Sequence, residues 1–456
     1  MNRTRSLFTL AIALSSLLVI GIAASQSVRA AQVGDLTQAS ATFTHFYLFR
    51  ATSSPTPWWQ SHTRVDASGG VHTAFYTEQK VYYAHCSAAC DNPANWTETP
   101  IADAGNLDSL DYPIVTVDPS GRPRMMWYND PDYLYAECNA NCTNAANWTA
   151  VQVPVAEQSG YIYPQTAHYF ALDSQGRPRF VCYGYEGFQY TTCDANCTTP
   201  SNWRSDLLNL NGSVDRPQLV LNGNDQPRVM GFDGSTYDLN YLGCNANCSQ
   251  AGNWGRVTLY EVGYWGNFSF RLDTQGRPRV AFYTQDSSDE AMYYAWSNST
   301  AIAPTGWLSD SLALPPNDER TVDLALDSQN RPRVAFASDQ EDLDYAECTA
   351  NCESTNSTWQ LQHIETGDEL DLSDPIPPGS GCLSSAWMLI GYPSLALDTA
   401  DRTNVSYYAQ HSKYCLGGDG QYHILNDVKA LRFASVSGTT PIVFTHWVYL
   451  PAIRKP

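Results

Sequence analysis

Apolar and polar positions alternate in short runs, and the whole arrangement returns about every fifty residues. Residues 269–273 (SFRLD) and 322–327 (VDLALD) alternate or run apolar over five or six positions, which predicts a buried strand. A turn phrase follows: 118–127 (DPSGRPRMMW), 173–182 (DSQGRPRFVC), 222–231 (NGNDQPRVMG), 273–282 (DTQGRPRVAF) and 327–336 (DSQNRPRVAF). Weaker copies begin at Asp66 (DASGGVHTAF) and Asp398 (DTADRTNVSY), and the seven starts lie 52, 55, 49, 51, 54 and 71 residues apart. Gly121, Gly176 and Gly276 supply the positive φ of a tight turn, and Asn330 replaces glycine because it also tolerates that region.

A second strand comes next, as in 279–284 (RVAFYT), rich in β-branched and aromatic residues, with proline at its start where a missing donor does least harm. A third strand reads YLYAEC (133–138), YYAW (293–296) and LDYAEC (343–348); a fourth opens on Trp96, Trp148, Trp203, Trp254, Trp307 and Trp359. Four short strands per repeat, with no helical period, predict an all-β, seven-bladed β-propeller with four antiparallel strands per blade. Strand-like residues 42–49 (TFTHFYLF) and 443–450 (VFTHWVYL) are expected to meet in one blade and close the ring, which would leave no free sheet edges.

Composition sets the compartment. Residues 1–30 carry Arg3 and Arg5, an apolar run from Leu7 to Ala23 and a small-residue site at Val28-Arg29-Ala30, the layout of a signal peptide. Residues 31–456 then form the propeller domain. Formal charge is −20 with only four lysines, and removing the signal's three arginines makes the mature chain about −23. That balance excludes nucleic acid and anionic membrane as partners, because phosphate binding needs clustered cations. Ten of thirteen cysteines form Cys-x-x-x-Cys pairs at one phase of the repeat: Cys86 with Cys90, Cys138 with Cys142, Cys193 with Cys197, Cys244 with Cys248 and Cys348 with Cys352. Zinc would need about four ligands per site, so local disulfides of an exported chain are expected. Cys382 and Cys415 are expected to form a sixth bridge, and Cys182 to be a buried free thiol.

Strand order sorts the loops. The Asp-x-x-Gly turns and stapled loops share one face; the connections between second and third strands, and between blades, share the other. That second face varies in length and composition, as binding loops do. Candidate ligand-binding residues on it are Tyr128, Asp130, Tyr161, Tyr163, Tyr185, Tyr264, Trp265, Asp286 and Asp339: rings that can stack on sugar CH faces, beside carboxylates that accept hydroxyl hydrogen bonds. The last blade carries insertions at 365–392 and 410–427 on this face. No nucleophile elbow, His-Glu-x-x-His segment or phosphate loop occurs, so no catalytic residue is assigned. No cofactor or metal ligand is assigned; the sequence leaves open only whether Ca2+ bridges the acidic loops.

The Asp-x-x-Gly-Arg-Pro-x-Val-Ala-Phe-Tyr, Leu-x-Tyr-Ala and Asn-Trp combination resembles the repeat of secreted bacterial propellers loosely related to the sialidase-like, or BNR-repeat, propellers, over roughly residues 62–440. The resemblance implies the propeller fold. The sialidase Asp-box has a shorter Asp-to-Gly spacing and a terminal Trp, and Phe49-Arg50-Ala51-Thr52 departs from the sialidase Phe/Tyr-Arg-Ile-Pro segment, so no family residue is carried over. The reading is a secreted, monomeric, non-catalytic protein that binds a glycan or another extracellular or cell-surface ligand. The alternatives are a sialidase-like glycoside hydrolase or lyase, and a protein-interaction scaffold.

Overall fold

A computed structural model describes residues 43–436, apart from 52–59, 78–79, 104–109, 130–131, 156–167, 185–186, 211, 262–266, 287–288, 313–320, 339–341 and 373–385. Twenty-eight strands form seven four-stranded antiparallel sheets, each a blade of a β-propeller. Blades 1 to 6 take their strands in chain order, over residues 61–103, 110–153, 170–208, 215–261, 268–311 and 322–365. Blade 7 holds Ala386–Leu397, Thr403–Leu416 and Tyr422–Val436, with Phe43–Ala51 as its outer strand.

Ring closure uses the N-terminal strand as expected. Phe43 pairs with Val436, Thr44 with Ser435 and Phe46 with Phe433. Residues 443–450, the partner expected for this strand, lie outside the described residues. The insertion at 410–427 is not a loop. It lengthens the second and third strands of blade 7 into a ribbon paired from Gln410 and Lys429 to Leu416 and Tyr422. The insertion at 365–392 supplies the one α-helix among the described residues, Gly367–Leu372. A reciprocal cap starts it: Thr366 N donates to Glu369 Oε2 at 2.9 Å and Glu369 N to Thr366 Oγ1 at 3.3 Å. Leu370 is buried beneath it.

The repeat phrase now has a physical reading. In blade 3 the Asp173 carboxylate accepts from the backbone N–H of Gln175 (3.0 Å) and Arg177 (2.9 Å) on Oδ1, which caps the turn. Its Oδ2 accepts from Arg177 Nε (2.6 Å) and Arg179 Nη2 (2.9 Å), while Arg179 Nη1 donates to the Cys193 carbonyl at 2.7 Å. One carboxylate thus ties the turn to the stapled loop, on one face, with its buried charge paired. Blades 2, 5 and 6 have the same Asp–Arg pairs. Non-glycine residues at the positive-φ turn position gain a second task. Asp225 accepts from Ser174 N at 2.7 Å, Asn330 from Thr274 N at 2.9 Å and Asp401 from Ser328 N at 2.8 Å, so each clasps the turn of the preceding blade.

Blades pack through aromatics of fixed phase. In blades 2 to 6 a tryptophan at the start of the outer strand meets an aromatic of the preceding blade edge-on: Trp148 on Tyr83, Trp203 on Tyr135, Trp254 on Tyr190, Trp307 on Tyr241 and Trp359 on Tyr294. Trp96 meets Phe433 of blade 7 at 4.6 Å, which carries the pattern across the closure. Such contacts add about 0.5–1.5 kcal/mol each beyond area burial.

Five disulfides form as expected: Cys86 with Cys90, Cys138 with Cys142, Cys193 with Cys197, Cys244 with Cys248 and Cys348 with Cys352. In four of the blades the second cysteine has a further task that the sequence does not announce. Its carbonyl accepts the indole N–H of the packing tryptophan: Cys90 from Trp96 (3.0 Å), Cys142 from Trp148 (2.9 Å), Cys197 from Trp203 (2.8 Å) and Cys248 from Trp254 (2.9 Å). Each staple therefore fixes the rotamer of the ring that joins two blades, and satisfies a donor that burial would otherwise strand. Cys182 is buried and outside any disulfide, as expected. Cys415 is disulfide-bonded; Cys382 lies outside the described residues.

At the centre, the inner-strand edges of blades 1, 5, 6 and 7 are satisfied by side chains of the blade before. Phe270 N donates to Gln218 Oε1 (2.9 Å), Leu324 N to Ser269 Oγ (3.0 Å), Leu395 N to Asp323 Oδ2 (2.7 Å) and Thr63 N to Ser394 Oγ (2.8 Å). All four acceptors lie four residues before the turn Asp or Asn of their own blade. A buried edge N–H needs an acceptor, and these polar side chains in otherwise apolar strands provide it.

Candidate functional site

The two faces of the disc are built differently. Every turn between first and second strands spans five residues, as at 66–70, 173–177 and 398–402. The connections from one blade to the next, on the opposite face, run from six residues (209–214) through ten (312–321) and sixteen (154–169) to twenty (366–385). The first face is locked by the carboxylate–arginine ties and turn-to-turn clasps; the second is free to vary, as ligand-binding faces are.

Backbone strain has the same distribution. Among the described residues eleven that are not glycine have positive φ; eight of them repeat two positions of the turn face. The other three, Arg216 (52°), Tyr237 (62°) and Tyr392 (53°), belong to the loop face, and strained side-chain-bearing residues concentrate where function constrains the backbone. Arg216 and Tyr392 each precede a proline and sit at register shifts of an inner strand, the first near its start and the second in its middle, where a bulge re-aims a side chain.

Around blade 4 these features converge. Asp215 opens the inner strand and Asp233 follows the end of the second. Asp233 Oδ1 accepts from Ser235 N (3.0 Å) and Ser235 Oγ (2.6 Å), and its Oδ2 from Arg256 Nη2 (2.7 Å). Burial opposes its charge, but Ser235 and Arg256 outweigh that and lower its pKa. Asp215 goes the other way: burial raises its pKa, opposed by Arg216 and reinforced by Asp233. Its Oδ1 is buried and has no hydrogen-bond partner among the described residues.

Blade 7 contributes the second feature. Its ribbon continues six residues from Gln410 to Leu416, about 20 Å at the usual rise. It therefore projects beyond the disc on the loop face. At the tip Leu416 and Tyr422 are half exposed, and His423 Nε2 lies 2.7 Å from Asp419 Oδ2. The backbone N–H of Gln421, with His423, lowers the Asp419 pKa. The tip therefore offers an exposed ring and, a few residues away, a carboxylate paired with an imidazole; rings and carboxylates are what the sequence places on this face, but at residues it did not single out.

Among the sequence-derived candidates, Tyr128 is fully buried, against Tyr133 at 5.1 Å in the core between blades 2 and 3. It offers no ring surface to a ligand. It lies near the end of a second strand that packs on both faces, so its ring turns inward. Tyr183, at the same phase, is partly buried against the same core. Asp286 ends the second strand of blade 5, paired with Asp289 at the tip of that hairpin. The paired cysteines, Cys90, Cys142 and Cys248 among them, sit in the stapled loops of the turn face, away from these residues, and hold the scaffold rather than a ligand. Asp130, Tyr161, Tyr163, Tyr185, Tyr264, Trp265 and Asp339 lie outside the described residues. Missed by the sequence reading were Asp215 and Tyr422. The signal for Tyr422 was available, since an insertion between two strands of one blade is most simply a longer hairpin.

Comparisons with known proteins give likeness of fold only. No family model matches the chain, and no curated protein matches it. Solved structures similar to it include a protein of unknown function from Dyadobacter fermentans (TM-score 0.42, 10% identity, covering 85% of this chain and 99% of that one). The polysaccharide lyase Uly1 is similar at TM-score 0.45 and 8% identity, covering 84% of this chain and 91% of that one. The NanB sialidase from Streptococcus pneumoniae is similar at TM-score 0.43 and 11% identity, covering 90% and 72%. No helix among the described residues is long and apolar enough to cross a membrane.

Proposed function

We propose that the protein is a secreted binding module that takes a glycan, or a hydroxyl-rich extracellular polymer, on its loop face without transforming it. The observation that carries this reading is the arm of blade 7, whose tip holds the half-exposed Tyr422 ring and, within a few residues of it, the Asp419–His423 pair, on the face whose connections vary. A ring of that kind stacks on the apolar face of a sugar, and a nearby carboxylate accepts hydroxyls of the same polymer. Five short-range disulfides support an oxidising destination.

The test is a glycan array on residues 31–456, compared with Tyr422→Ala. The variant should lose the bound glycans while keeping its melting temperature, because the ring is half exposed at the tip of the arm. An empty array, or an identical profile for the variant, overturns the reading. Cleavage of a glycosidic bond is a second reading, favoured by one observation: Asp215 and Asp233 have pKa values pushed apart, as an acid and a base require. Release of reducing ends that stops in Asp215→Asn would favour it over simple binding.

A further inference from the structure

Polar side chains from blades 1, 3, 5 and 6 meet across the propeller axis. His168, just ahead of the inner strand of blade 3, sits between His62 of blade 1 (Nε2 to Nδ1, 3.2 Å) and Asp323 of blade 6 (Nε2 to Oδ1, 2.9 Å). Blades 3 and 6 are not neighbours, so this contact spans the channel. Arg64 of blade 1 donates from Nη2 to His168 Nδ1 (3.2 Å) and from Nη1 to the Thr63 carbonyl (3.0 Å). Arg271 of blade 5 donates from Nη2 to Asp323 Oδ1 (2.8 Å) and from Nη1 to the Phe270 carbonyl (2.7 Å).

The charges do not balance. With its Nε2–H donating a hydrogen bond to the Asp323 carboxylate, His168 presents Nδ1 as the acceptor for Arg64. Burial, followed by the arginines, holds the His168 pKa down to about 3 and that of His62 well below its usual value, so both rings are neutral. Two guanidinium groups then face one carboxylate. Asp323 pairs with Arg271 and His168, and among the described residues no carboxylate lies within 4.0 Å of Arg64. A partly buried charge without a counter-charge is costly. Burial first, and then the Arg271 charge, lower the Arg64 pKa to about 9. Both arginine side chains remain partly exposed, Arg271 by 16%, so each keeps an edge toward the channel.

We propose that the axis holds an oxyanion site, in which a small free sulfate, phosphate or carboxylate ion is bound between the guanidinium groups of Arg64 and Arg271. Small size follows from the His62–His168–Asp323 chain, which already crosses the channel. The choice of oxyanion follows from the planar donor forks of two arginines, which match paired oxygens better than a halide. Such an ion supplies the missing negative charge and ties blade 1 to blade 5. This inference does not rest on the glycan reading and stands or falls without it.

The experiment is equilibrium dialysis of the purified protein against labelled sulfate, with thermal unfolding in sulfate, phosphate or acetate against chloride at equal ionic strength. The wild type should bind one sulfate and show a saturable rise in midpoint of a few degrees. Non-specific salting-out rises without saturating and is shared by every variant. Arg64→Gln should bind at least tenfold more weakly and lose the saturable rise. In chloride its midpoint should be no lower than that of the wild type, since it removes an unbalanced charge. The proposal is overturned if no oxyanion binds at about 10 mM, if Arg64→Gln responds like the wild type, or if that variant is much less stable in chloride.

Discussion

The closure of the ring rests on one buried ion pair whose removal has a calculable cost. Glu365, the last residue of the outer strand of blade 6, is fully buried, and Arg432, in the third strand of blade 7, is 1% exposed. Arg432 donates to both Glu365 oxygens, from Nε at 2.5 Å and from Nη2, and the Tyr407 hydroxyl donates to the same carboxylate. Burial opposes the Arg432 charge, but Tyr407 and Glu365 outweigh it and raise its pKa. The N-terminal strand joins the group: His45 Nε2 lies 3.5 Å from Glu365, and the Arg432 guanidinium sits 4.2 Å from the centre of the Tyr47 ring. Removing one member strands the other in the interior, which costs about 3–5 kcal/mol. That is a large part of the ~5–15 kcal/mol by which domains are stable. Glu365→Gln and Arg432→Met should each lose that amount in urea unfolding followed by tryptophan fluorescence. The pair Glu365→Leu with Arg432→Met should lose far less than the sum, since neither buried charge remains. Limited proteolysis should cut the strand Phe43–Ala51 faster in each single variant. A loss below about 1 kcal/mol, or additive losses in the double variant, would refute the claim that this pair latches the ring.

Two further outcomes follow from the repeat. At the phase where five blades place a buried or part-buried arginine (Arg124, Arg179, Arg228, Arg279 and Arg333), blade 1 has His72, 3.1 Å from Asp66 and 2.6 Å from the Tyr83 hydroxyl. Burial lowers the His72 pKa to about 4, so between about pH 6.5 and 4 the unfolded chain binds a proton that the folded chain does not. Stability must therefore fall as pH drops through that window, by at most about 1.4 kcal/mol per unit from this residue. His72→Arg should remove that contribution, and stability profiles that stay parallel between variant and wild type would contradict the assignment. Replacing Cys193 and Cys197 together by serine should cost about 2 kcal/mol, the value for so short a loop. The melting temperature should drop by a few degrees with the circular-dichroism spectrum unchanged; outright unfolding would mean that the staple holds the blade together.

The architecture was legible because each of its instructions is short. Strand alternation, a five-residue turn, a Cys-x-x-x-Cys loop and a tryptophan of fixed phase each fit within one unit, and repetition exposes them. The seven blades, the five disulfides, the unbridged Cys182 and the shared face of turns and stapled loops follow from these. So does an N-terminal strand that covers the last blade's edge. The bond from each tryptophan to the carbonyl of Cys90, Cys142, Cys197 or Cys248 was within reach too, since only six residues separate the partners.

What remained illegible depends on residues far apart in the chain. His62 meets His168 across 106 positions, and His168 meets Asp323 across 155. Within their own strands they read as isolated polar interruptions, as in residues 322–327 (VDLALD). Tyr128 reads as a surface ring because its own hairpin ends there; the next blade buries it. Glu365 and Arg432 read as ordinary charges until the ring closes. Local propensity and turn chemistry decide each blade, since they act over a few residues. The axial charge imbalance, the buried latch and the projecting arm come from tertiary structure, because a charge acquires its neighbours and its desolvation only when seven separate sheets share one axis.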